Sequence, residues 1–89
     1  MRFMVEGTPS GAFTADLMAL LPAESARGRE LDAQGIRTAF YLAADMSNTW
    51  QVFTAATQED VQQVLESFPL YHAATFTITP LADEQQTSP

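Results

Sequence analysis

Cysteine and lysine are both missing from the 89 residues, histidine occurs once, and the only cations are Arg2, Arg27, Arg29 and Arg37. Without cysteine there are neither disulfides nor thiolate metal ligands, so stability must come from burial. A lone histidine leaves a zinc or iron centre to be completed by carboxylates, and no carboxylate spacing in the chain suggests one, so no metal or cofactor is expected. The net charge of −7 has the wrong sign for a surface that reads the phosphates of DNA or RNA. No apolar run approaches the roughly 20 residues that span a bilayer, and no basic-then-apolar leader opens the chain. A cytoplasmic protein without membrane or nucleic-acid partners is therefore expected. Serine-nucleophile elbows, phosphate-binding glycine loops and dinucleotide fingerprints are also absent.

What the chain does have is apolar content, 46% of its residues, in a length that allows one domain and a modest core. A core of that size is commonly completed by a partner subunit, so self-association as a homodimer or a higher oligomer is expected. Arg2-Phe3-Met4-Val5-Glu6-Gly7 alternates as a strand does, and Thr8-Pro9-Ser10-Gly11 is a loop by composition. Thr14 is an N-cap, with Asp16 in the first turn of a helix whose apolar stripe is Leu17, Leu20, Leu21, Gly28 and Leu31, and Gly35 stands at its C′ position. Pro22 interrupts that helix. It predicts either a kink or a short helix followed by a longer one beginning at Leu21-Pro22.

Residues 36–45 form a β-rich run with Ile36, Thr38, Phe40 and Leu42 on one side and Arg37, Ala39, Tyr41 and Ala43 on the other. Neither side is cleanly polar, as in a sheet covered on both faces. Met46-Ser47-Asn48 turns the chain, and 49–55 returns as the second strand of a hairpin. Thr57 with Asp60 resembles a capping box, Val61, Val64, Leu65 and Phe68 keep helical spacing, and Pro69 ends that helix. A last strand runs through Phe76 and Ile78. The order is βαββαβ, a ferredoxin-like α+β arrangement of one antiparallel sheet and two helices over 1–81, followed by a flexible acidic tail at 82–89. Phe3, Val5, Phe40, Leu65, Phe68, Phe76 and Ile78 are the expected core.

Glu24 is the candidate catalytic residue that stands out. It lies seven positions after Leu17 and seven before Leu31, so a continuous helix puts its carboxylate on the apolar stripe facing the sheet. There its pKa would rise, fitting it for general acid or base work near neutral pH. Alternatively, Pro22 resets the helical phase and Glu24 sits exposed in the first turn of a second helix, favoured by the helix dipole. His72 is a second candidate because histidine is the side chain that ordinarily titrates near neutrality; a structural or exposed role is the competing reading. Tyr41, flanked by Ala39 and Ala43, can direct a phenol into a hollow, with Trp50 and Tyr71 as aromatic walls for a small-molecule ligand; ordinary core or dimer packing is the alternative. Arg37 either anchors an anionic substrate or pairs with a carboxylate at a sheet edge.

The stretch Leu65-Glu66-Ser67-Phe68-Pro69-Leu70-Tyr71-His72, leading into Ala74-Thr75-Phe76-Thr77-Ile78-Thr79-Pro80-Leu81, resembles the helix, Pro-Leu-aromatic turn and last strand of the muconolactone isomerase family. The likeness extends through Gln34-Gly35 and the strand containing Val52-Phe53, covering most of 2–81. It implies a dimeric α+β barrel, two sheets packed face to face, and places a family glutamate at Glu24. It also implies proline where this chain has His72, and basic residues on the long strand where this chain has Thr38, Ala39 and Leu42. Muconolactone isomerases move a proton along a conjugated lactone acid. The expectation is therefore a cofactor-independent isomerase or cyclase that moves a proton next to a carbonyl on a small hydrophobic metabolite, in aromatic catabolism or, as polyketide cyclase-like enzymes do, in polyketide tailoring. The base would be Glu24, with Tyr41 or His72 stabilising the enolate or returning the proton. A non-catalytic small-molecule-binding or assembly domain of the same fold is the alternative.

Overall fold

Phe3, Val5 and Gly7 are buried while Met4 and Glu6, between them, are only half-buried, so β1 (Arg2–Pro9) turns one face to the interior and the other outward. The computed structural model describes residues 1–82. Of the acidic tail expected at 82–89, all but Ala82 lies outside the described residues. After β1 come a single helical turn α1 (Ala15–Met18), a longer helix α2 (Leu21–Ala33), the hairpin strands β2 (Arg37–Leu42) and β3 (Thr49–Thr54), α3 (Gln58–Glu66), a 3-10 turn (Tyr71–Ala73) and β4 (Ala74–Pro80). The sheet runs β2-β3-β1-β4 with every neighbouring pair antiparallel, the βαββαβ order read from the sequence.

Pro22 decides how the first helical segment breaks. It stands in the opening turn of α2, where a missing N–H costs nothing, and a separate short α1 precedes it, capped by Thr14 Oγ1 accepting the Leu17 N–H at 3.3 Å. The break ends the expected apolar stripe early: Leu20 and Leu21 are exposed, and α2 buries only Gly28 and Leu31. Gly35 follows α2 with φ of 75°, the left-handed C′ conformation that glycine adopts without strain. Thr8 and Pro9, expected in a loop, extend β1 instead. There β1 has passed the end of β3 and pairs only with β4, so proline leaves no ladder bond to β3 unmade.

The core is Phe3, Val5, Leu31, Phe53, Val61, Leu65 and Phe68, with Ile36, Val64, Tyr71, Phe76 and Ile78 packed partly against it. Phe40 was expected there and is instead 47% exposed. It shares the helix-side face with its partner Gln51, yet β2 is an edge strand, and α2 covers its Arg37 end without covering Phe40. A register irregularity between Arg37 and Ala39 also corrects the faces expected for this strand. It puts Arg37 opposite Phe53, on the helix side with Phe40 and Leu42, while Ala39 and Tyr41 face outward opposite Val52 and Trp50. Among the described residues no helix is long and apolar enough to cross a membrane.

Candidate active site

Glu24, Gly28 and Leu31 follow i, i+4, i+7 spacing, and together they form the inner stripe of α2. Both sequence readings of Glu24 hold in part: Pro22 does place it in the first turn of a new helix, but that turn still presents it inward, half-buried. Its Oε1 accepts the Leu70 N–H at 2.9 Å. That amide lies in the turn after Pro69, where α3 has ended and the backbone donor has no helical partner. Burial raises the Glu24 pKa above the ordinary carboxylate value, opposed by the Leu70 hydrogen bond and then by the positive charge of Arg37.

Leu70 also borders an open groove of about 310 Å³ lined by Ser10, Gly11, Ala12, Leu17, Pro69, His72 and Ala73. His72 is exposed at this groove, two residues past the amide that Glu24 holds. Its ring meets Tyr71 edge-on at 5.0 Å, and Tyr71 stacks on Phe76 at 5.7 Å while its hydroxyl accepts from Gln62 Nε2 at 2.7 Å. Tyr71 thus buttresses the turn that carries His72. The Arg27 guanidinium joins α2 to the same corner, donating to Ser67 Oγ at 2.9 Å and to Glu30 Oε1 at 3.0 Å.

Tyr41 and Trp50 lie elsewhere. They are cross-strand partners on the face away from the helices, Tyr41 being 63% exposed, so one chain does not bring Tyr41 to Glu24 as expected. Tyr41 alternates with Phe40, which looks to the helix side, so it looks outward. Arg37, expected on the same face as Tyr41, has instead turned beneath α2 with its side chain only 12% exposed. Nε and Nη2 donate to the two Asp32 carboxylate oxygens at 2.7 and 3.1 Å, Nη1 donates to Gln51 Oε1 at 3.0 Å, and the guanidinium lies 4.7 Å from the centre of the Phe40 ring. Of the two sequence readings of Arg37, pairing with a carboxylate is what is found. Gln51 is the buried polar residue of the core, and Arg37 satisfies it. Sequence reasoning missed Gln51 and Asp32, and it took Gly28 as a position on the apolar stripe without its contact to Arg37. A glutamine alternating with Phe53 on a buried strand face was the available signal. Among the described residues, no group of three or more His, Cys, Asp or Glu side chains converges as metal ligands would.

An antiparallel β2-β3-β1-β4 sheet with its helices on one face defines a ferredoxin-like α+β fold. The model of the family described as muconolactone delta-isomerase matches residues 1–87, and the chain belongs to that family. The crystal structure of a muconolactone isomerase at 3.3 Å resolution is similar over 99% of this chain and 94% of its own, with a TM-score of 0.81 and 21% identity. A 5-chloro-2-hydroxyhydroquinone dehydrochlorinase from Burkholderia phenoliruptrix, solved in complex with 2,5-dihydroxybenzoquinone, is similar over 92% of this chain and 94% of its own, with a TM-score of 0.75 and 15% identity. At these identities the likeness is one of fold. Comparison with curated protein sequences finds no match.

Proposed function

We propose that the protein is a cofactor-independent isomerase or cyclase that moves a proton next to a carbonyl on a small hydrophobic ring compound, with Glu24 as the base. The observation that carries this reading is the state of Glu24: a carboxylate partly withdrawn from water, raised in pKa by that burial, and tied through the Leu70 amide to the wall of an open groove. Such a group passes between its charged and neutral forms closer to neutrality than a surface glutamate does, as a residue that takes and returns one proton must. In the reaction Glu24 removes the proton from the carbon beside the carbonyl, and the electron pair moves onto the carbonyl oxygen. His72 at the groove donates a hydrogen bond to that enolate oxygen. The proton on Glu24 then returns to another carbon of the conjugated system, so the product is an isomer of the substrate and nothing is oxidised or reduced.

Apart from Ser10 and His72, the described side chains lining the groove are small or apolar and include no arginine or lysine. Together with Thr38, Ala39 and Leu42 on the long strand, this favours an uncharged ring over muconolactone, which carries a carboxylate. The dihydroxybenzoquinone bound by the similar dehydrochlorinase is, like the proposed substrate, a small ring of conjugated carbonyls. Breakdown of aromatic compounds in the cytoplasm is the setting this supports best, with polyketide tailoring the other.

Self-association is part of the proposal. The outer sheet face carries Met4, Val52, Trp50 and Tyr41 on β1, β3 and β2, and Thr75, Thr77 and Thr79 on β4. A second copy packed on it would form the dimeric α+β barrel, with Tyr41 and Trp50 as packing residues. The test of the chemistry is deuterium uptake from heavy water into a panel of cyclic enones, hydroxyquinones and muconolactone, followed by proton NMR. Uptake that the protein accelerates and Glu24→Gln abolishes is the expected result. No acceleration with any compound, together with a Glu24 that titrates as an ordinary surface carboxylate, would leave a binding or assembly domain instead.

A further inference from the structure

Gly28 and Glu24 are one helical turn apart on the inner stripe of α2, and Gly28 is where Arg37 packs against that stripe. A Cβ at Gly28 would stand 2.6 Å from Arg37 Nη2 and 3.0 Å from Cζ and Nη1, so the bare Cα is what admits the guanidinium beneath the helix. We propose that Arg37 is a positioning residue for Glu24: seated in the clearance at Gly28, it supplies the buried positive charge that holds the Glu24 carboxylate in its working ionic form, and Asp32 moderates that charge. The inference rests on the reading of Glu24 as the base and extends it to the elements behind the groove.

The seat is built to keep the guanidinium in place. Asp32 holds two of its nitrogens from the end of α2, Gln51 holds the third from β3, and Phe40 lies against its plane from β2. An arginine so engaged has little freedom to swing out to a ligand, and what reaches Glu24 is its charge. The other charged or titratable groups on the elements around Glu24 are Arg27, Arg29, Glu30 and Asp32 on α2, Asp16 on α1, Arg37 on β2, Glu59, Asp60 and Glu66 on α3, and His72 in the turn. Arg37 is the one whose charge acts on Glu24, opposing the effect of burial. The Asp32 carboxylate, paired with Arg37 yet open to solvent, offsets part of that charge. Removing Arg37 and removing the charge of Asp32 should therefore push Glu24 in opposite directions.

The experiment follows the Glu24 side-chain carboxyl resonance by NMR across pH in the full chain, in Arg37→Gln, Arg37→Lys and Asp32→Asn. Arg37→Gln should raise the midpoint of Glu24, Asp32→Asn should lower it, and Arg37→Lys, which keeps the charge without the planar fork, should stay nearer the unsubstituted value. If a substrate from the exchange panel is in hand, the acidic limb of its rate profile should move with these midpoints. Midpoints that do not move, or that move the same way in Arg37→Gln and Asp32→Asn, would show a merely structural arginine and overturn the proposal. Should Arg37→Gln fail to fold, Gly28→Ala, whose methyl displaces the guanidinium from its seat, decides in its place: a raised Glu24 midpoint supports the proposal, an unchanged one refutes it. Opposite shifts without any catalysed exchange would sustain the Arg37 coupling while the enzymatic reading falls. Glu24-dependent exchange with unresponsive midpoints would do the reverse.

Discussion

Gly28→Ala should destabilise the natural chain and stabilise one in which Arg37 is already alanine. Alanine is favoured over glycine in a helix interior by roughly 1 kcal/mol, so with nothing above it the substitution in α2 is a gain. In the natural chain the new methyl meets Nη2 at 2.6 Å and Cζ and Nη1 at 3.0 Å, and contact is relieved only if the guanidinium retreats. Retreat stretches the hydrogen bonds to Asp32, at 2.7 and 3.1 Å, and to Gln51, at 3.0 Å. The Asp32 end is in solvent and contributes little, whereas Gln51 is buried and left without its partner, which costs about 2 kcal/mol. The net loss in the natural chain is then about 1 kcal/mol, against a gain of about 1 kcal/mol without Arg37, a coupling of about 2 kcal/mol. Urea denaturation of the four chains closes the cycle. The reasoning is refuted if Gly28→Ala changes stability by the same amount, within about 0.5 kcal/mol, in both backgrounds.

Phe53→Ala, at a fully buried ring, should cost on the order of 3–5 kcal/mol, and Phe76→Ala, at a half-buried ring stacked on Tyr71, distinctly less; denaturation of both variants checks the ranking. Glu24→Gln keeps an acceptor for the Leu70 N–H and removes the desolvated charge. Because the folded pKa of Glu24 is raised, its contribution to stability is full below the unfolded value of about 4.3 and is lost as pH rises through the folded value, so the variant should gain on the natural chain as pH rises through that window. Denaturation midpoints that run parallel across that range would contradict this. Asp32 has the opposite sign, being held low by Arg37: its contribution is present above the unfolded value of about 3.9 and fades as pH falls through the folded one, so Asp32→Asn should lose least at low pH, as the same measurement will show. Light scattering at micromolar concentration should find a dimer or larger assembly, and Tyr41→Asp, on the outer sheet face, should shift it toward monomer; a monodisperse natural monomer would remove the barrel.

The order of elements could be read from the chain because each is marked by local chemistry: period-two alternation in β1, Thr14 and Thr57 as caps, Gly35 at a C′ position, Pro69 after α3. Pro22 signalled the break between α1 and α2, and Leu21-Pro22 is where the second helix begins. The faces of β2 could not be read in the same way. Alternation assigns residues to faces only while the register is regular, and the irregularity between Arg37 and Ala39 leaves no compositional mark. That one slip moves Arg37 to the helix side, away from the face it was expected to share with Ala39 and Tyr41, whereas Tyr41 looks outward by its alternation with Phe40. Phe40 was misplaced for another reason: strand order in the sheet is a long-range property, and nothing local to residues 37–42 says that β2 is outermost. Glu24 was legible because its spacing from Leu31 survives the break at Pro22, whereas its spacing from Leu17 crosses it.

The same polar contacts that shape the candidate site also fix α2 on the sheet. α3 buries Val61 and Leu65 and is followed at once by buried Phe68, an apolar stripe sufficient to seat it. α2 is three turns long and buries one large side chain, Leu31; its other buried position is glycine. What fixes it to its neighbours is Glu24 on Leu70, Arg27 on Ser67 and Asp32 on Arg37, one contact for each turn of the helix. Polar contacts constrain direction more sharply than apolar ones, and they depend on ionic state. A change of charge at Glu24, Arg37 or Asp32 therefore alters the proton affinity of the proposed base and loosens the helix that carries it. At position 24 two demands oppose each other: burial disfavours the charge, while the Leu70 N–H needs an acceptor there that an apolar residue would not supply, so Glu24→Leu should lose the polar contact that Glu24→Gln keeps.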